Sequence, residues 1–189
     1  MWDSDSRRTK LMAGSRPVTD KEVKMILEEL GTKRNQCLFT LGLKTGFRIS
    51  ELLSIKVSDV VQYGKIKDSL TVSRANMKGK ISSRSVVLHQ TAKDALQSMN
   101  VLEMAPEARL FPIRREQASR LIKRAVTRAR IEGKVTSHSA RKVFAKKVHE
   151  LFGRDLVKTQ KALGHRSVAS TAYYIQFDQQ EIDDAILRT

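Results

Sequence analysis

The sequence predicts a mostly helical α+β fold with one small antiparallel hairpin. Apolar residues recur at intervals of three and four along most of the chain, which is the spacing of one helix face. Threonine, serine or aspartate precedes several of these segments and glycine follows them, as at helix caps. β-Branched runs are confined to the stretch between Ser69 and Leu88, where a long turn bearing lysines separates them.

The expected helices are placed by their caps. Thr19 and Glu22 form a capping box for the first helix, and Gly46 suits a left-handed cap that ends the second. Thr91 is expected to cap the short helix that follows the hairpin. The segments expected to be helical are 19–31, 33–44, one from about residue 50, 91–99, 116–131, 137–152, 155–163, 167–177 and 178–187.

A length of 189 residues fits one domain. We expect residues 1–16 to be a disordered lead or linker, because they are polar and lack periodicity. The domain is expected over 17–177. Residues 178–189 form an acidic C-terminal helix, which either docks on a neighbouring subunit or folds back on its own domain.

The chain is strongly basic, with a net charge of +16 and a pI near 10.3. Such a charge attracts polyanions and makes nucleic acid the leading partner.

No apolar run approaches the roughly 18 residues that a membrane-spanning helix needs. The lone Cys37 cannot form an intramolecular disulfide, and we find no signal peptide, so a cytoplasmic location is expected. The four histidines lack the spacing of zinc ligands, so no metal is expected.

The helix expected over 116–131 carries its positive charge on one side. Its apolar residues lie on the opposite face, and no acid separates the basic ones. A solvated charged face is one interpretation, and contact with the DNA backbone is the one we favour. The basic residues of this face are Arg120, Lys123, Arg124 and Arg128.

Three short motifs follow one another along the chain. "TGFRISEL" places Arg48 three residues before Glu51, and "HSAR" places His138 and Arg141 on one helical face. "LGHRSVASTAYY" then places His165 just after a glycine that ends a helix, nine residues before a tyrosine. Each motif alone carries little information, so the order of the set is what matters.

In this order, with a lysine in the hairpin turn, the set resembles the catalytic domain of the tyrosine recombinases, the phage integrase family. The resemblance covers about residues 17–178, and Phe47 varies at a position that the family leaves free. It implies the tyrosine-recombinase catalytic fold, double-stranded DNA as the partner, and strand cleavage and rejoining without metal, ATP or another cofactor. Arg48 and Arg141 then clamp the scissile phosphate, because a guanidinium binds two oxygens and stays ionised. Glu51 orients neighbouring groups.

The resemblance makes Tyr174 the nucleophile, which forms a 3′-phosphotyrosine and frees a 5′-hydroxyl. Tyr173 is adjacent, but the family's spacing from the histidine favours Tyr174. His138 assists proton transfer at the tyrosine, and His165 donates a hydrogen bond to the phosphate. The family takes the acid that protonates the 5′-oxygen from the hairpin turn, where Lys78 aligns best and the lysine at position 80 is the alternative.

One departure bears on function, because few residues precede the expected domain, where most family members carry a helical DNA-clamping domain. The chain is therefore similar to single-domain recombinases, such as inversion switches, or to an isolated catalytic domain. Assembly of two or four protomers on DNA is expected, with DNA-bending proteins as candidate accessory factors. Two rival functions stay open: a helix-turn-helix regulator without catalysis, and a type IB topoisomerase that relaxes DNA.

Overall fold

A computed structural model describes residues 14–73, 83–175 and 186–187. Its α-helices, in chain order, are α1 (Asp20–Glu29), α2 (Lys33–Thr45), α3 (Ile49–Leu52), α4 (Val57–Val60), α5 (Gln90–Gln97), α6 (Arg115–Arg128), α7 (Ser137–Leu151), α8 (Leu156–Leu163) and α9 (Val168–Ile175). Its strands are β1 (Val61–Gln62), β2 (Lys65–Ile66), β3 (Ser69–Val72) and β4 (Arg84–Val87). Across the described ranges the chain is mostly helical with small antiparallel sheets, which confirms the expected fold class.

The start of α1 follows the expected capping box. The Thr19 hydroxyl accepts from the backbone N of Glu22, and the Glu22 carboxylate accepts from the backbone N of Thr19 at 2.8 Å. Arg16 belongs to this start as well, since its guanidinium pairs with Glu22 at 2.5 Å. The lead expected over 1–16 therefore stops short of Arg16; residues 1–13 lie outside the described part.

Helix α2 lies at the centre of the fold. Most of its residues from Cys37 onwards are buried, among them Cys37, Leu38, Phe39 and Leu41. One side packs on α5 and belongs to a core that includes α3 and β3. The other side faces a second core cluster, to which α1 and α6 contribute. Burial on both sides fixes the end of α2, from which the chain enters α3.

The expected hairpin is present as β3 and β4, which pair antiparallel with Ser69 opposite Val87 and Val72 opposite Arg84. Its turn, including the candidate lysines, lies outside the described residues. A smaller hairpin, β1 and β2, was not expected. Its two-residue turn places Tyr63 and Gly64 at φ values of 50° and 68°, as turns that match strand twist require.

Two helix boundaries differ from the expected ones. The N-cap of α5 is His89, not Thr91, because the His89 ring Nδ1 accepts from the Thr91 backbone N at 3.1 Å. An imidazole nitrogen can therefore replace the hydroxyl that capping rules look for. Helix α6 ends at Arg128 instead of Ile131, since Arg130 adopts φ 51° and turns the chain.

The residues up to Phe144 form one compact unit and those from Ala145 a second, so the boundary falls within α7. In the second unit α8 and α9 pack together. The Asp155 carboxylate caps α8, and Gly164 ends it at φ 62°, as expected. Of the helix expected over 178–187, the structure describes residues 186–187. No helix in the described ranges is long and apolar enough to cross a membrane.

Candidate active site

The turn after α2 introduces the first arginine. Gly46 adopts φ 62°, and a Cβ on it would lie 2.3 Å from Cδ1 of Phe144, so both conformation and space require glycine. The Thr45 hydroxyl donates to the carbonyl of Leu41 at 2.6 Å and accepts from the backbone N of Phe47 at 3.3 Å. The "TGF" sequence thus builds a rigid turn, and Arg48 follows it directly.

Glu51 holds Arg48 in two ways. Its Oε1 accepts from the Arg48 guanidinium at 2.8 Å, and its Oε2 accepts from the Arg48 backbone N at 2.7 Å. Glu51 is fully buried, whereas 22% of the Arg48 side chain is exposed. A buried carboxylate is tolerated where a cation and hydrogen bonds satisfy it. The pair therefore fixes an arginine whose side chain is still partly exposed.

Arg141 reaches the same turn from α7. Its side chain is 1% exposed, and its Nη1 donates to the carbonyl of Gly46. This contact joins residues that are 95 positions apart in the chain. Both arginines of the expected clamp are therefore tied to one turn. Arg48 follows this turn in the chain, and Arg141 donates a hydrogen bond to it.

His138 lies in the first turn of α7, three residues before Arg141. Its backbone N donates to the Thr136 hydroxyl at 3.2 Å, which fixes the start of the helix. Partial burial, followed by the nearby charges of Arg141, Arg115 and Arg48, lowers the pKa of His138 below its usual 6.5. At neutral pH the imidazole is therefore neutral and able to accept a proton.

A third arginine, Arg84 at the start of β4, joins this cluster. Its Nη2 donates to the carbonyl of Thr45 at 2.6 Å, and its guanidinium lies 4.7 Å from the ring centre of Phe47. Burial first, then the charges of Arg141 and Arg48, lower its pKa to about 9, and Glu51 partly offsets them. The guanidinium still carries its charge at neutral pH.

The cluster gathers positive charge that favours an anion. Arg48, Arg84 and Arg141 supply three guanidinium groups, and the charge of Glu51 offsets part of their mutual repulsion at Arg84. Arginine's planar set of donors suits a phosphate, which accepts on several oxygens at once. The arrangement fits the binding of a phosphodiester and the stabilisation of charge that develops on it.

In the second unit, His165 and Tyr174 are held near each other. The His165 ring Nδ1 is 3.0 Å from the Thr171 hydroxyl, and its backbone carbonyl accepts from Gln160 at 3.1 Å. The rings of His165 and Tyr174 are 5.0 Å apart between centres and inclined at 55°. Thr171 is fully buried, so it anchors the histidine beside the tyrosine. The two motif residues are thus brought together by α8, Gly164 and α9.

The basic face of α6 is exposed, as expected. Ala118, Ile122, Ala125 and Val126 are buried on the opposite side of the helix. The four basic residues and Thr127 line a shallow cavity of about 330 Å³, and these residues are Arg120, Lys123, Arg124 and Arg128. A row of exposed cations without an interleaved acid suits a polyanion backbone.

The lysines of the hairpin turn, Lys78 and Lys80, lie outside the described residues, so the acid for the 5′-oxygen stays a prediction. The preference for Tyr174 over Tyr173 stays one as well. Where the structure describes the chain, it contains no group of three His, Cys, Asp or Glu side chains that could hold a metal ion.

Sequence reasoning missed Arg84 as a member of the cluster. A signal was available: strand residues alternate between faces, and Arg84 occupies the same face as the apolar Val86. An arginine on the inner face of a strand needs acceptors inside the fold, which here are backbone carbonyls of the Thr45–Gly46 turn. The arginine motif and the hairpin are therefore one structural assembly.

Solved recombinase structures share this architecture. The crystal structure of XerA recombinase superimposes with a TM-score of 0.71 at 26% identity, over 92% of this chain and 65% of that one. The catalytic domain of bacteriophage HP1 integrase matches with a TM-score of 0.62 at 22% identity, over 92% of this chain and 94% of that one. Fold and arginine cluster thus define a tyrosine-recombinase catalytic domain.

Sequence comparison leads to the same class. The model of the phage integrase family matches residues 16–181, and the chain belongs to this family. The tyrosine recombinase XerH of Campylobacter jejuni is 26% identical over 202 residues, which cover 96% of this chain and 56% of XerH. The chain spans about half the length of XerH and of the tyrosine recombinase XerC of Caldanaerobacter subterraneus. The family suggested by the ordered motifs is confirmed.

Proposed function

We propose that this chain is the catalytic part of a site-specific DNA recombinase that cleaves and rejoins strands through a 3′-phosphotyrosine. The observation that carries the proposal is the Gly46 turn, which leads into Arg48 and accepts a hydrogen bond from Arg141. Two charged guanidinium groups at one turn can donate to the two non-bridging oxygens of a phosphodiester. Family membership supplies the reaction class.

The arginines stabilise the reacting phosphate. Arg48 and Arg141 bind the non-bridging oxygens, on which negative charge grows as the phosphorus becomes five-coordinate. Glu51 fixes Arg48 through its guanidinium and its backbone at once, so the cation needs little rearrangement during the reaction. Positioned donors of this kind lower the barrier without a metal.

The bond changes balance without an external energy source. The Tyr174 oxygen attacks the phosphorus, its proton passes to the neutral His138, and the bond to the 5′-oxygen breaks. His165, held by Thr171, donates a hydrogen bond to the phosphate. A lysine of the turn, Lys78 or else Lys80, gives a proton to the leaving 5′-oxygen. Attack by another strand's 5′-hydroxyl reverses these steps, so the phosphotyrosine conserves the bond.

The partner that we propose is double-stranded DNA. The α6 face supplies cations for its backbone, and the net charge of +16 adds long-range attraction. Strand exchange needs two cleaved sites, so we propose that two or four protomers assemble on DNA, with DNA-bending proteins as accessory factors. A cytoplasmic location follows from this substrate and stays part of the proposal.

The direct test is a covalent adduct. The protein is incubated with nicked suicide duplexes that carry candidate sites, and products are separated on a denaturing gel. We expect a protein–DNA band with the wild type and with Tyr173→Phe, and none with Tyr174→Phe, because phenylalanine has no nucleophilic oxygen. Lack of a band on any duplex, although DNA binds, would favour the regulator. Relaxation of supercoiled DNA without site preference would favour a topoisomerase.

A further inference from the structure

Arg84 is buried without a carboxylate among its described hydrogen-bond partners. Its residue exposure is 7%, and its guanidinium donates to the carbonyls of Thr45 at 2.6 Å and Gly46 at 3.5 Å. Its Nε atom has no hydrogen-bond partner among the described residues. Burying a cation against neutral acceptors costs free energy. Such a placement therefore suggests that Arg84 has a role besides stabilising the fold.

Aromatic rings fix the plane of this guanidinium. It lies 4.7 Å from the ring centre of Phe47 and 5.9 Å from that of Phe144, distances at which a cation is attracted to a ring face. Phe47 immediately precedes Arg48, and Phe144 is three residues after Arg141. Each ring that contacts Arg84 is therefore a neighbour of one arginine of the clamp, Phe47 of Arg48 along the chain and Phe144 of Arg141 along α7.

Arg84 and Arg141 also share an acceptor. Both donate to the carbonyl of Gly46, although each is far from it in sequence. The Thr45 carbonyl, which accepts the shorter Arg84 bond, begins the turn that ends at Arg48. Loss of Arg84 would remove the hydrogen bonds that hold this turn. The Gly46 carbonyl that accepts from Arg141 and the backbone that leads into Arg48 would then be less firmly placed.

We propose that Arg84 is a positioning residue for the phosphate clamp: it fixes the Thr45–Gly46 carbonyls and thereby sets the placement of Arg48 and Arg141. This inference rests on the proposed function. Arg84 acts through the turn and does not itself contact the phosphate. A flexible or absent side chain at this position leaves the clamp present and misplaced.

The first experiment measures single-turnover cleavage of the suicide duplex at saturating protein. Arg84→Met keeps the length of the stem and removes the donors, and we expect cleavage to slow about 100-fold, the effect of a misplaced reacting group. Arg84→Lys keeps the charge and one contact, and we expect it to recover about a tenth of the wild-type rate. Arg109→Met removes the same charge from an exposed position and serves as the matched control.

The second experiment separates positioning of the clamp from general loosening. In a duplex with a scissile methylphosphonate, a methyl group replaces one charged non-bridging oxygen. The arginines then have less negative charge to stabilise in the transition state. We expect the ratio of wild-type to Arg84→Met rates to fall from about 100 on phosphate to below about 10 on methylphosphonate. A role confined to folding slows both substrates alike.

The outcomes are distinguishable. Equal penalties on both duplexes, or a wild-type rate in Arg84→Met, would overturn the inference and leave the proposed function intact, because the wild type still forms its adduct. No adduct with the wild type overturns the proposed function itself. Thermal unfolding is measured for each variant, and if Arg84→Met does not fold, Arg84→Lys carries the same comparison of substrates.

Discussion

At the scale of single residues, the arginine site depends on the main chain of one glycine. The Gly46 carbonyl is the acceptor for Arg141, and the backbone angle of Gly46 directs the chain into Arg48. A side chain at this position would meet the ring of Phe144. One residue thus links the end of α2, the arginine motif and α7.

Gly46→Ala tests this dependence. A left-handed backbone costs alanine about 1 kcal/mol, and the clash with Phe144 adds about 1–3 kcal/mol as in an overpacked core. Gly31→Ala is the matched control, because Gly31 also has positive φ, at 71°, but nothing lies within 4 Å of its would-be Cβ. Urea unfolding should show a larger loss for Gly46→Ala; equal losses would mean that the contact with Phe144 is unimportant.

His138 gives a pH prediction. Burial and neighbouring cations lower its pKa, so cleavage should be constant above pH 6.5 with respect to this group and fall through an inflection below 6.5. His138→Gln cannot titrate and should lose the inflection, with a rate about 100-fold lower at pH 7.5. An inflection above pH 6.5, or one that persists in His138→Gln, would contradict the assignment.

The same shift affects folding. Because the folded state disfavours the charged imidazole, the unfolded chain takes up this proton first as the pH falls. The contribution of His138 to the free energy of unfolding is therefore greatest above pH 6.5. It is lost as the pH falls through the lowered pKa of the folded state. The cleavage profile should be limited to pH values at which the unfolding temperature shows a folded protein.

At the scale of elements, helix α6 divides its duties by face. Its apolar side contributes to the core with α1, while its four cations are exposed. The sequence predicts this division, because the spacing of apolar and basic residues along a single helix determines which face each of them occupies. The use of the exposed face is a separate question, since a solvated surface has the same pattern.

Salt dependence decides between these uses. If Arg124 and Arg128 contact phosphates, replacing both with glutamine should weaken DNA binding and lower the slope of log K against log salt by about 2, near 0.9 per contact. Lys56→Gln with Arg109→Gln, exposed residues of an isolated β-bridge, removes the same charge. Fluorescence anisotropy at several salt concentrations measures both. Equal effects of the two double variants would mean that the α6 face has no special contact with DNA.

Local signals were predictable, and contacts between distant segments were not. The capping box of Thr19 and the glycine that ends α8 depend on neighbours within four residues, and both are found as expected. The contact between Arg141 and Gly46 spans 95 residues and leaves no periodic signal. The inward placement of Arg84 depends likewise on an acceptor 39 residues away. The prediction of Thr91 as the cap of α5 was wrong because the ring nitrogen of His89 takes the place of a hydroxyl.

At the scale of the whole molecule, the motif residues divide between two compact units. Arg48, His138 and Arg141 belong to the first, and His165 and Tyr174 belong to the second. Each unit has its own organising contact: the Gly46 carbonyl in the first and the buried Thr171 in the second. The proposed chemistry assigns phosphate stabilisation to the first unit and the nucleophile to the second.

The most direct measurement identifies the residue that is joined to DNA. The adduct from the suicide duplex is trimmed with nuclease and trypsin, and the peptide that follows Arg166 is sequenced by tandem mass spectrometry. This peptide contains both Tyr173 and Tyr174, so fragment ions between them assign the site. We expect a nucleotide on the Tyr174 oxygen. A nucleotide on Tyr173 or on another residue would contradict this expectation.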